Sequence, residues 1–189
     1  MIFFMSKTEN NKKIKAVDIV SVAMMTALIV VCSWIYIPIG NIPVTLQTFA
    51  VCAAVGIFGM KKGTLAVAVY LMLGILGLPV FSFFKGGIGA LFGATGGYTI
   101  GFIFCALISG LIINKSKKIP VMILGFAIGL IVCYATGTLW FLFVYMKDTG
   151  AQGLVTALTT CVLPFVIPDI IKIVLAAVVS DSVRKKVKL

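Results

Sequence analysis

Apolar positions gather into long runs along this chain, and polar positions fall in short clusters between them. A bilayer core takes about 20 apolar residues per helix. On that measure the runs predict six spans. The first covers 17–37 and stops at Pro38. The second, 46–60, is short and leans on the charge-free link 39–44 for its remaining depth. Lys61 and Lys62 make a tight turn into the third, 63–78. A link rich in Gly and Phe, 79–90, holds Lys85 and leads to the fourth, 91–113. The fifth covers 119–145. The sixth, 154–179, is broken near its prolines. The expected fold is therefore all-α: a multi-pass membrane domain over 17–182, a cytoplasmic tail over 1–16 and a basic cytoplasmic tail over 183–189.

Composition fits this reading. Of 189 residues, 61% are hydrophobic and only 11% are charged, with mean hydropathy +1.20. A soluble domain is nearer 25% charged. The net charge of +11 does not point to nucleic acid, because the Lys and Arg lie in short clusters between apolar runs. Six spans place thirteen of them on one side: Lys7, Lys12, Lys13, Lys15, Lys61, Lys62, Lys115, Lys117, Lys118, Arg184, Lys185, Lys186 and Lys188. Only Lys85 and Lys147 fall on the other. Cytoplasmic loops carry the excess of Lys and Arg, so both termini are expected in the cytoplasm. The run 17–37 is long for a signal-peptide core and lacks a clear small-residue cleavage site, so it reads as a retained span. The five cysteines all lie within apolar runs without C-x-x-C spacing, and there is no His. Disulfides and a bound metal are not expected.

Candidate chemistry concentrates in 164–172, PFVIPDIIK. Asp169 and Lys172 are the only charges in the run 154–179. An ionisable group at mid-bilayer costs roughly 2.5–3.5 kcal/mol on insertion scales. Positions i and i+3 share a helix face, so the two can pair. Pro164 and Pro168 lack an N–H, which predicts an irregular helix up to Asp169 and places its carboxylate near free backbone N–H groups. Two readings follow: a neutralised pair that locks a helix, or a polar ligand site facing a cavity. Pro38, Pro43, Pro79, the glycines around Gly86, and Gln47 all collect at the opposite end from the cation clusters. Non-helical backbone at membrane depth survives only where protein or a wet cavity covers it, so an outward-facing pocket is expected there.

Further candidates are weaker. Gln47 either caps a helix or serves a pocket. Tyr70, Tyr98 and Trp140 read first as interface anchors, with Thr95 and Tyr98 favoured for a pocket by the glycines around them. Lys85 is either a solvated loop charge or a partner for a ligand carboxylate. Residues 89, 93, 97, 101, 105 and 109 are all small and make a ridge for close helix packing, as do Gly125 and Gly129. Ala23 and Ala27 form a small-xxx-small pair, for internal packing or for a partner. No Walker A run, Ser–His set or carboxylate cluster is present, so no catalytic residue, enzymatic activity or cofactor is expected.

Five segments together resemble one family. They are IPIGNIPVTLQTFAV (37–51), YLMLGILGLPVF (70–81), GATGGYTIGF (93–102), GTLW (137–140) and PFVIPDIIK (164–172). In this order the chain resembles BioY, the biotin-binding S component of energy-coupling factor (ECF) transporters. It departs from the usual pattern at Ala94 and Pro168. The resemblance implies six membrane helices that bind biotin from outside and work with a transmembrane coupling protein and two ATPases. It implies a ligand role for Asp169 and Lys172, with Gln47, Thr95, Tyr98 and Lys85 as further polar contacts. It makes Ala23 and Ala27 the matching positions for docking the coupling protein. An S component for a different vitamin, and a stand-alone proton-coupled carrier using Asp169 as its relay, are the alternatives.

Overall fold

The computed structural model describes residues 16–39, 42–146 and 151–187. The predicted N-terminal tail, the 147–150 link with Lys147 and Asp148, and Lys188 lie outside the described residues. The elements are α1 (Ala16–Trp34), β1 (Tyr36–Ile39), β2 (Ile42–Thr45), α2 (Gln47–Ile75), a 3-10 turn (Ser82–Phe84), α3 (Ile88–Leu91), α4 (Gly96–Ile113), α5 (Ile119–Trp140), a π turn (Phe141–Met146), α6 (Ala151–Cys161) and α7 (Leu163–Val187). Five helical stretches are long and apolar enough to cross a membrane: Ala16–Trp34, Gln47–Ile75, Gly96–Ile113, Ile119–Val144 and Gly153–Val187. The chain is a multi-pass membrane protein.

Helix α2 is not one rod. At about 1.5 Å per residue, Gln47 and Tyr70 would lie roughly 34 Å apart in a straight helix. Their side chains are instead hydrogen-bonded at 2.8 Å. The chain reverses at Gly59, whose φ of 80° and ψ of 179° leave the helical region. Only glycine reaches such a conformation without strain. The two arms then press together, and a Cβ on Gly63 would collide with the Val55 backbone. The reversal falls at Gly59 and not at the Lys61–Lys62 pair, which opens the second arm.

The expected all-α fold also gains a sheet. The described ends of the 39–44 link lie in two antiparallel strands, β1 and β2, with Pro38 opposite Pro43. Proline is tolerated in a two-stranded ribbon wherever its missing N–H faces no partner. The fourth span is shorter than its apolar run suggests. Helix α3 ends at Leu91, and α4 begins only at Gly96. The small-residue ridge is thus interrupted between positions 89 and 97. Its α4 part packs on α5 as expected: Cβ atoms on Gly97 and Gly101 would strike Trp140 and Thr136, and Ser109 donates to the Gly125 carbonyl at 3.0 Å.

The main core joins α1, α2, α4, α5 and α7 around Ile29, Val51, Val67, Tyr70, Phe126 and Ala176. A smaller cluster of Val44, Phe141, Leu142, Ala157, Cys161 and Phe165 joins β2, the π turn, α6 and the start of α7. The candidate site lies between the two.

Candidate functional site

A cavity of about 690 Å³ opens between these clusters. Its walls bring together Gln47, Lys85, Thr95, Tyr98, Asp169 and Lys172, all six residues singled out for ligand contact from the sequence. Each reaches it for a local reason. On α7 the stripe Phe165, Asp169, Lys172, Ile173 and Ala176 is buried, while Ile167, Ile170, Ile171 and Leu175 face outward. That is the i, i+3, i+4 spacing of one helix face. Asp169 and Lys172 are therefore only 3% and 6% exposed, and Lys172 Nζ donates to Asp169 Oδ1 at 2.7 Å.

The break expected near the prolines falls at Val162, between α6 and α7, and the helix is regular well before Asp169. Helix α7 starts at Leu163, which seats Pro164 in its first turn and carries Pro168 inside the helix. Asp169 is almost two turns in, beyond the free N–H groups of the helix start. Its second oxygen meets a side chain instead: the Tyr134 hydroxyl on α5 donates to Asp169 Oδ2 at 2.6 Å. Sequence reasoning missed Tyr134. Nothing in its neighbours marks it, and only the packing of α5 on α7 discloses the contact.

On the facing wall, Gln47 is buried and its amide donates to the Tyr70 hydroxyl. Gln47 is therefore not a helix cap, and Tyr70, 1% exposed, is no interface anchor. The Tyr70 and Phe81 rings meet in a T-shaped arrangement, 5.5 Å between centroids. Tyr98 stands on α4 with its hydroxyl 3.3 Å from Thr138 Oγ1, and its ring fills the space a Cβ on Gly137 would need. Trp140 donates from its indole to the Gly93 carbonyl at 3.2 Å and so braces the break before α4. That break places the half-buried Thr95 at the cavity wall. Phe102, Leu130 and Phe165 supply apolar surface.

The roof comes from the link after α2. Ser33 donates to the Val80 carbonyl at 2.6 Å and the Trp34 indole to the Pro79 carbonyl at 2.9 Å, which fastens the link to α1. Phe83 and Phe84 have φ of 61° and 55°. Such positive values are strained for bulky residues. Here they lay Phe83 on Tyr36 and Phe84 on Trp34, at 4.5 and 5.2 Å between ring centroids. Lys85 is exposed at the rim, with its Nζ 5.5 Å from the Phe83 ring. Ala23 and Ala27 do not line this cavity. Both are exposed on the outer face of α1, so neither is used for internal packing.

A family model described as the BioY family matches residues 6–189. The chain belongs to the BioY family. Its BioY relatives include the biotin transporter BioY of Thermotoga maritima, 41% identical over 168 residues, covering 89% of this chain and 96% of the relative. A probable biotin transporter BioY of Pyrococcus horikoshii is 38% identical and covers 90% of this chain and 98% of its own. Among solved structures, the S-component for biotin from an ECF-type ABC transporter superposes with a TM-score of 0.79 at 28% identity, covering 95% of both chains. The cavity of this BioY chain thus sits in a membrane fold shared over nearly its whole length.

Proposed function

We propose that this chain is the biotin-binding S component of an ECF transporter. It captures biotin from outside the cell membrane and passes it to the cytoplasm with an ATP-driven module of one transmembrane coupling protein and two ATPases. One observation carries the reading. The cavity is walled by apolar and aromatic side chains, and its charged lining groups are Asp169, Lys172 and Lys85. Ligand pockets of this kind measure about 300–1,000 Å³ and fix orientation with a few placed polar groups.

Biotin matches that wall in kind. Its ureido ring offers two N–H donors and one carbonyl acceptor, its thioether ring is apolar, and its tail ends in a carboxylate. An ionised carboxylate accepts about four hydrogen bonds. Asp169 uses one on each oxygen, for Lys172 and Tyr134, and keeps capacity for the ureido N–H groups. Lys172 has N–H donors to spare for the ureido carbonyl. Gln47, Thr95 and Tyr98 complete the polar contacts. Lys85, at the rim, meets the tail carboxylate as it enters.

The same proposal sets the topology. Counting the two arms of α2 separately gives six passes with both termini in the cytoplasm. In support, the Gly59 reversal and Lys62, Lys117 and Arg184 lie together at the end of the bundle away from the cavity. Ala23 and Ala27, exposed on α1, are the proposed docking positions for the coupling protein.

The test is direct. The purified protein should release biotin on denaturation, identified by mass spectrometry, and the emptied protein should bind biotin in calorimetric titration. Biotin failing to bind while another vitamin does would overturn the assignment.

A further inference from the structure

A second hollow, of about 260 Å³, lies at the opposite end of the bundle. Its walls are Ile57, Phe58, Gly59, Lys62, Ile113, Asn114, Lys117 and Arg184. We infer that this hollow binds a phosphate-bearing anion, with an anionic phospholipid headgroup and free phosphate as the two sources of that chemistry.

Three cations converge here from three parts of the chain: the α2 reversal, the α4–α5 turn and the end of α7. A bias of Lys and Arg toward one membrane face explains why cations lie at this end. It does not explain how Arg184 is held. The flanking Lys185 is 74% exposed at its side chain, but Arg184 turns inward and donates from Nη1 to the Gly56 carbonyl at 3.1 Å. That carbonyl belongs to the last turn before the reversal, where helical acceptors have no partner in their own helix. The contact uses one of five guanidinium donors and anchors the fork at the edge of the hollow.

The opposing charges are few. Asp18 pairs with Lys62 at 2.6 Å, and Asp181 pairs with Lys185 at 2.6 Å. Asp181 also lies within electrostatic reach of Arg184, but among the described residues no acidic side chain forms an ion pair with Lys117 or with the guanidinium, whose remaining donors are open to an anion. Ile57, Phe58 and Ile113 give the hollow an apolar floor, the boundary at which a headgroup meets hydrocarbon. Basic pockets between membrane helices at the cytoplasmic side are sites for anionic headgroups. The inference needs the position of the hollow, not the identity of the ligand in the large cavity.

The test uses the full chain purified in detergent. Thermal unfolding and native mass spectrometry are followed with inorganic phosphate, short-chain phosphatidylglycerol and short-chain phosphatidylcholine. Phosphatidylglycerol should raise the melting temperature and remain bound, and phosphatidylcholine should do neither. Lys117→Gln should cut phosphatidylglycerol retention about tenfold, the loss expected for one charge-assisted contact. Lys115→Gln, outside the hollow, should retain it, and both variants should bind biotin normally. A response to phosphate alone would identify a soluble anion as the source. Equal responses to both lipids, or equal loss in the Lys115 variant, overturn the inference. So does loss of coupling-protein association in Lys117→Gln with no response to phosphate or lipid, which assigns the hollow to the partner.

Discussion

Replacing Asp169 with Asn tests the site at its centre. The substitution keeps the side chain's size and removes its charge. Two effects follow, and they can be separated. The first is on the ligand. A hydrogen bond to a charged group contributes about 1.5–3 kcal/mol, and about 1.4 kcal/mol is tenfold in affinity. Biotin affinity should therefore fall by roughly tenfold to a hundredfold. The second effect is on the protein. Lys172 is 6% exposed and loses its counter-charge. Breaking a buried pair from one side costs about 3–5 kcal/mol, so the empty protein should melt at lower temperature. Adding Lys172→Met removes the stranded cation, and an apolar replacement of a buried pair is close to neutral for stability. The double variant should regain its melting temperature but not its affinity. Calorimetric titration with biotin and a fluorescence melt of the empty protein measure the two quantities. Wild-type affinity in Asp169→Asn, or affinity restored in the double variant, would refute the assignment.

Three other outcomes are expected. Tyr134→Phe deletes the donor to Asp169 Oδ2; that bond is already made in the empty protein, so its loss should lower stability by about 1.5–3 kcal/mol in the fluorescence melt and weaken biotin less than Asp169→Asn does. Gly137→Val places a side chain in the space of the Tyr98 ring; it should destabilise the protein by about 1–3 kcal/mol in a denaturation series and weaken biotin with it. Ala23→Trp combined with Ala27→Trp should leave biotin titration unchanged but abolish co-purification with the coupling protein, and normal co-purification places the docking face elsewhere.

How much of the fold and the site is legible in the sequence depends on which force fixes each residue. Asp169 and Lys172 stand out because hydrocarbon makes any charge conspicuous. Their shared face follows from helix spacing alone, so the pairing can be read from the residues themselves. Tyr70 reads as an anchor because its partner, Gln47, lies 23 residues away in sequence. Their contact exists only because Gly59 folds α2 back. An isolated glycine in an apolar run signals no such reversal, and the nearby Lys61–Lys62 pair is the stronger turn signal. The break at residues 92–95 is hidden for a related reason. Gly93 and Gly97 fit the pattern of a helix ridge, yet the glycine-rich stretch lets the chain step aside before α4. Tyr134 leaves no trace in its local pattern, since a tyrosine in an apolar span reads as an anchor until α7 is packed against it.

The arrangement around Asp169 bears on how binding energy is used. Burying a carboxylate and an ammonium costs several kcal/mol per ion even in a relaxed protein. Here that cost falls on folding, because the pair is already buried and joined when the cavity is empty. Tyr134 and Lys172 hold the two oxygens from different helices. The carboxylate is thus fixed along two directions, and a ligand need not order it. Ordering a rotamer-rich side chain on binding costs about 0.5–1.5 kcal/mol, so a fixed Asp169 leaves more of each new hydrogen bond to appear as affinity. Lys85 is the opposite case. It is exposed, on a long flexible stem, with its Nζ 5.5 Å from the centre of the Phe83 ring. A contact from Lys85 must order that stem and compete with solvent, so its yield in affinity is small. On the proposed reading, the deep pair sets how tightly a ureido ring is held, and the rim lysine sets how readily an anionic tail is drawn in.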